Sequence, residues 1–169
     1  MIRKLGVLSD THGRHEMALR AVDRLGGEGV DGLVHCGDIG NDAEGRRVLD
    51  ALAGELPVWF VWGNTDYDAD ELAPYAADLG LTVLGHSGQL DADLAAGPVS
   101  VHHGHDFRLY DRIAETQAGG YLLSGHTHVP HDHHEHGTRL LNPGALHRAK
   151  PKTVATLTLD TDEWRLIEL

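Results

Sequence analysis

Three times in its first 65 residues the chain repeats one pattern, a short apolar run that ends on a polar residue able to hold an ion, next to glycine. Leu5–Ser9 runs into Asp10-Thr11-His12-Gly13, Gly32–Cys36 into Gly37-Asp38, and Pro57–Trp62 into Gly63-Asn64. The segments between them carry apolar residues three and four apart. Met17, Ala18, Val22 and Leu25 mark a helix from about Arg14 to Leu25, stopped by Gly26-Gly27. Val48, Leu49 and Leu52 mark a second over Asp42–Leu52, with Asn41 or Asp42 as its N-cap. Strand, helix, strand, helix, strand implies parallel strands joined by right-handed crossovers. Ligands then collect at the carboxyl ends of the strands, where all three polar motifs lie.

The second half has a different rhythm. A weaker helix over Asp68–Leu79, interrupted near Pro74, leads into short strands at Leu81–Leu84, Gly88–Asp91, Val99–His102, Tyr121–Ser124 and Arg139–Leu141. Leu109–Gln117 is the one helical stretch among them. Val154–Leu159 and Trp164–Leu169, joined by Asp160–Asp162, read as a hairpin. These elements predict a mixed two-sheet core in one domain over residues 1–169, a length that buries roughly 70% of the unfolded surface.

Two more motifs fall in this half, His102-His103-Gly104-His105 and Gly125-His126-Thr127-His128, each after an apolar run. On extended backbone, residues i and i+2 point the same way, so Asp10 with His12, and His126 with His128, could each grip one ion from one face. Asp38 suits a bridging role, since a carboxylate has two oxygens and a charge to share. Asn64 adds a carbonyl oxygen and His103 an imidazole. So many imidazoles point to manganese, nickel, iron or zinc rather than magnesium.

The net charge of −12 argues against a protein that grips long nucleic acid by its backbone. It permits a small anionic substrate, because two divalent cations over Asp10 and Asp38 leave a local charge of about +2. No apolar run approaches the ~18 residues of a membrane span. The N-terminal stretch shows no cleavage-like site. The single cysteine, Cys36, excludes an intrachain disulfide framework and reads as a buried strand residue. A cytoplasmic protein is expected.

The five motifs in this order resemble those of the calcineurin-like metallophosphoesterase superfamily. The short length, the form Gly63-Asn64-Thr65-Asp66 and the later Asn142-Pro143-Gly144 are similar to its small single-domain YfcE-type phosphodiesterases. The resemblance implies an α/β fold, a four-layer αββα sandwich of two mixed sheets flanked by helices. It implies one metal held by Asp10, His12, Asp38 and His128, and a second held by Asp38, Asn64, His103 and His126. Manganese is the first choice of metal, with a hydroxide shared by the pair attacking a small phosphodiester. Asn64 could also touch a phosphate oxygen. Homo-oligomers are common in this branch and are expected here.

Many superfamily members place a histidine after the asparagine, where it can protonate the leaving group; this chain has Thr65. His105, two residues beyond a ligand, is the candidate general acid in its stead. His147 and Arg148 are further candidates for a phosphate contact. The rest of the polar residues have plainer readings. His102 points away from His103 and packs, His35 belongs to the core or supports a ligand, and His15 and His86 carry no role. His131–His136 is a solvated hairpin loop; Trp59 and Trp62 pack. Two other functions compete with the diesterase: a non-catalytic scaffold like the retromer subunit of this fold, and a phosphomonoesterase.

Overall fold

A computed structural model describes all of residues 1–169. The first sheet takes its order from the crossovers read above. β1 (Lys4–Leu8), β2 (Gly32–His35) and β3 (Val58–Phe60) run parallel, with α1 (His15–Gly26) and α2 (Asp42–Leu52) between them. α3 (Ala69–Asp78) then leads to a two-residue parallel strand, β4 (Thr82–Val83). On the other side β1 pairs antiparallel with β10 (Thr153–Thr158), which pairs with β11 (Glu163–Glu168) as the expected hairpin. The sheet order is β11-β10-β1-β2-β3-β4.

The second sheet is β5-β6-β7-β9-β8. β5 (Ser87–Gln89) lies antiparallel to β6 (Val99–His102), and β6, β7 (Tyr121–Leu123) and β9 (Thr138–Asn142) are parallel. α4 (Phe107–Gln117) connects β6 to β7, capped by Asp106, whose side chain accepts from the N–H groups of Arg108 and Leu109. The remaining edge strand corrects the sequence reading. His131–Glu135 is not a loop but β8, paired antiparallel to β9 across five residues, with the turn displaced to His136-Gly137. Polar side chains conceal a strand when it sits at a sheet edge and has no core to face.

The continuous apolar runs are explained by strands buried on both faces. Leu5, Val7, Val34, Cys36, Trp59 and Val61 turn toward the second sheet, where they meet Val99, Val101, Leu123 and Leu141. The alternate residues Leu8, Leu33, Val58 and Phe60 pack under α1, α2 and α3, against Ala18, Leu25, Val48, Leu49, Leu52 and Leu72. A small third core sets Ala114 of α4 on Leu122 and Leu140. Helices, sheet, sheet and helix make the expected four layers. Full burial of a Leu or Phe contributes ~1.5–3 kcal/mol, so these cores hold the strand ends that carry the site.

One local expectation fails for an identifiable reason and another holds. α3 continues through Pro74, because that residue faces solvent and the helix loses a single hydrogen bond there. Trp62, besides being buried, stands edge-on to Phe60 with ring centroids 4.8 Å apart, so packing is its role. No helix is long and apolar enough to cross a membrane.

Candidate metal centre

The polar motifs meet where the carboxyl ends of β1, β2, β3, β6 and β7 converge, but not on extended backbone. Asp10, His12, Asp38, His126 and His128 all have left-handed φ, between +44° and +68°. Asp10 and His12 therefore share a side through a tight turn, not through strand alternation; His126 and His128 have the same left-handed dihedrals, but only His128 stands with Asp10 and His12. L-residues adopt this region only where their surroundings compel it, and such positions cluster at functional sites.

Both carboxylates are held in the same manner. Asp10 Oδ2 accepts from Ser9 Oγ at 2.6 Å and from the His126 N–H at 3.1 Å, which leaves Oδ1 facing inward. Asp38 Oδ1 accepts the Thr65 N–H at 3.0 Å and leaves Oδ2 facing inward. Around these two inner oxygens stand three imidazoles. His128 Nε2 is 3.2 Å from Asp10 Oδ1. His12 Nε2 is 3.8 Å from Asp10 Oδ1 and 3.4 Å from Asp38 Oδ2. His103 Nε2 is 4.0 Å and 3.2 Å from the same two atoms.

Whether these groups suit cations can be judged from their unmet needs. Asp10 Oδ1, His12 Nε2 and His103 Nε2 are buried and have no hydrogen-bond partner. His103 Nδ1 lies 2.8 Å from the Cys36 carbonyl. A carbonyl only accepts, so the proton sits on Nδ1 and the Nε2 lone pair is turned toward the carboxylates. Buried acceptors aimed at one another are costly unless a cation lies among them. The titration directions show how closely the carboxylates and imidazoles face one another. Burial pushes Asp38 up, but His103 and the Thr65 N–H outweigh it and hold the carboxyl well below its ordinary range. Burial pushes His103 down, and Asp38 more than reverses this. Asp10 raises His128, while burial lowers His12. The donor set fits divalent cations.

Five of the seven residues proposed as ligands from sequence form this cage, in two overlapping groups: Asp10, His12 and His128, and Asp10, Asp38 and His103. The other two stand at its margin. The His126 ring lies beside that of His103, centroids 5.2 Å apart, and Asn64 is exposed in the turn after β3. His105 is half-buried, 5.7 Å from His103 and 6.3 Å from His126 by ring centroids, with a buried, partnerless Nδ1. Burial and its neighbours His103 and His126 lower its pKa. His102 does face away, accepting the Gly104 N–H and stacking on His105 at 5.4 Å.

Sequence reasoning assigned nothing to Ser9, the Thr65 amide or Asp66. Asp66 is buried and accepts from Gly40 N–H at 2.9 Å and Gly63 N–H at 2.7 Å, tying the loop after β2 to that after β3. Its burial raises its pKa to about 6. The Asn41 side chain reinforces the same tie, donating to the Thr65 carbonyl and accepting the Asp68 N–H. It is thus not a side-chain cap for α2. The only advance signal was that Asp66 closes the Gly63–Asp66 motif.

His35 supports the cage from beneath. Its Nδ1 accepts the Gly37 N–H, so Nε2–H donates to Thr11 Oγ1, which donates in turn to the Ile39 carbonyl. Burial pushes its pKa down to about 4. The unfolded chain takes up a proton near pH 6.5, the native chain only near 4. This contribution to stability is complete above 6.5 and falls by up to about 3 kcal/mol as pH drops to 4. Denaturant melts of metal-free protein across that window should show a shallower acid limb for His35→Asn than for the parent chain. Parallel limbs would disprove the assignment.

Residues 4–162, nearly the whole chain, match the calcineurin-like phosphoesterase superfamily domain. The chain belongs to that family. It is therefore a phosphoesterase-family protein, and the family depends on divalent metals. It is 28% identical over 162 residues to a Methanocaldococcus jannaschii protein named "probable metallophosphoesterase", covering 92% of this chain and 76% of that one. Among solved structures, an archaeal phosphodiesterase superposes with a TM-score of 0.84 at 21% identity, over 98% of this chain and 99% of that one. YfcE, a phosphoesterase from E. coli, gives 0.65 at 20% identity over 98% of each. At such identities the two structures establish a shared fold.

Proposed function

We propose that this calcineurin-like domain is a metal-dependent phosphodiesterase acting on small phosphodiesters. The observation that carries the reading is the cage itself, two inward carboxylate oxygens and three imidazole nitrogens, three of these donors buried without a partner. One cation would be held by Asp10, His12, Asp38 and His128, the other by Asp38, Asn64, His103 and His126. Asp38 Oδ1 accepts the Thr65 N–H, so Oδ2 is the oxygen that would be left free for the cations. Two bound cations supply Lewis-acid charge to a phosphate oxygen and acidify water. We take manganese as the working metal, with nickel, iron and zinc as competitors.

The protein's own part is positional. Ser9, the His126 N–H and the Thr65 N–H fix the carboxylates, and the Cys36 carbonyl fixes the His103 ring. Asn64, exposed in the turn after β3, would donate its amide to a phosphate oxygen. His105, beside His103 and His126, is the group available to hand a proton to the departing alkoxide. A diester rather than a monoester is supported by the fold shared with a protein described as a phosphodiesterase.

Metal-free protein supplied with Mn2+ should hydrolyse bis(p-nitrophenyl) phosphate at least tenfold faster than p-nitrophenyl phosphate. A reversed ratio would make it a phosphomonoesterase. No turnover with any of the four metals would favour the scaffold. His105→Ala should slow alkyl diesters by about 10²-fold, within the range for lost general-acid catalysis. Diesters of p-nitrophenol, whose anion leaves unaided, should slow far less. Equal losses on both would remove His105 from the role. We expect a cytoplasmic homo-oligomer, which size-exclusion chromatography with light scattering and fractionation of the source cells would test.

A further inference from the structure

His12 has an open cavity beside it whose charge runs against that of the chain. The cavity, of about 330 Å3, is lined by Arg14, His147, Arg148 and Lys152, with Met17 and Leu146 as its apolar wall and no carboxylate. The chain as a whole carries a net charge of −12. Several other arginines are paired with carboxylates, Arg3 with Asp160, Arg24 and Arg165 with Glu28, and Arg139 with Asp132 and Asp162. Arg14, Arg148 and Lys152 form no ion pair, although the chain has nearly two acidic residues for every basic one. Like charges gathered without counter-ions repel, and such a cavity focuses field on an incoming anion.

Its position is equally specific. The His147 ring lies 4.9 Å from that of His12, centroid to centroid, so the cavity adjoins the cage directly. Arg148 is held at φ +52°, a left-handed conformation costly for arginine that sets it on the cavity wall. Arg14 arrives from the turn before α1, and His147, Arg148 and Lys152 from the segment before β10, so two distant stretches of chain build one basic wall.

We propose that this cavity is an anion subsite that binds a second phosphate group of the substrate, beside the phosphodiester held at the cage. The inference rests on the phosphodiesterase reading and narrows it. The preferred substrates are small phosphodiesters carrying another phosphate on the same molecule, rather than diaryl or dialkyl phosphodiesters with no second anionic group. Arginine supplies planar two-point contacts to phosphate oxygens and lysine a point charge.

The test is calorimetric titration of chelator-treated, desalted protein with inorganic pyrophosphate at pH 7 and low salt. Without metal the two carboxylates of the cage repel an anion, so binding reports on the basic cavity. The parent chain should bind, and Arg148→Gln/Lys152→Gln should bind at least tenfold more weakly, with affinity falling as salt rises. Should the double variant not fold, Arg14→Gln alone should weaken binding severalfold. No binding by the parent chain, or unchanged binding by the variants, would overturn the subsite. Bis(p-nitrophenyl) phosphate, which has no second anion, tests the hydrolytic reading independently. Pyrophosphate binding without diester turnover would remove the catalytic reading and leave the subsite, and turnover without binding would do the reverse.

Discussion

Replacing Asp38 with asparagine should lower phosphodiester hydrolysis by about 10³-fold while leaving the chain folded. Asp38 Oδ2 lies within 3.4 Å of His12 and His103, the two imidazoles assigned to different cations. An amide in its place would remove one negative charge from between the two proposed cations. A loss of about 4 kcal/mol of transition-state stabilisation is about 10³-fold in rate. The fold should survive because asparagine can still accept the Thr65 N–H through Oδ1. Initial rates on bis(p-nitrophenyl) phosphate at saturating Mn2+, with circular dichroism as control, decide the matter. A loss below tenfold would mean that Asp38 is not shared.

The second large effect comes from two glycines that touch no substrate. A Cβ built on Gly63 would overlap Asp38 Oδ1 and lie 2.5 Å from the Asp38 amide nitrogen. One on Gly125 would overlap Ser9 Oγ and lie 2.6 Å from Asp10 Oδ2. Each carboxylate thus rests against a position where a single methyl would dislodge the oxygen that its hydrogen bonds pin. Gly63→Ala and Gly125→Ala should each reduce activity by about 10²-fold, the scale expected when a reacting group moves by 1 Å. Overpacking should cost a further ~1–3 kcal/mol of stability. Gly54→Ala meets open space and is the matched control for thermal melts and rates. Wild-type rates in both site variants would show that the carboxylates are not confined in this way.

What could be read beforehand follows from how each feature is encoded. The first sheet was legible because its strands are apolar on both faces and end in distinctive residues, as Leu5–Ser9 does at Asp10. The two-sheet, four-layer fold followed from that pattern together with the family resemblance. β8 was not legible, since His131–Glu135 meets the rule for a strand only through its pairing with Leu140, Leu141 and Asn142 of β9. The ligand motifs were visible as residue types, but their geometry was inferred from the wrong backbone. Nothing local announces that Asp10 and His12 share a side through left-handed turns. Asp66 and the wall formed by Arg14 and Lys152 were hidden for another reason. Their roles exist only where loops far apart in the chain meet.

The central claim is a cation pair that shares one oxygen of Asp38. Anomalous diffraction from crystals grown with Mn2+ tests it most directly. The account predicts two peaks per chain within the cage, one bonded to Asp10, His12 and His128 and one to His103 and His126, both within bonding distance of Asp38 Oδ2. A single peak there, or manganese found only at the histidines of β8, would contradict it.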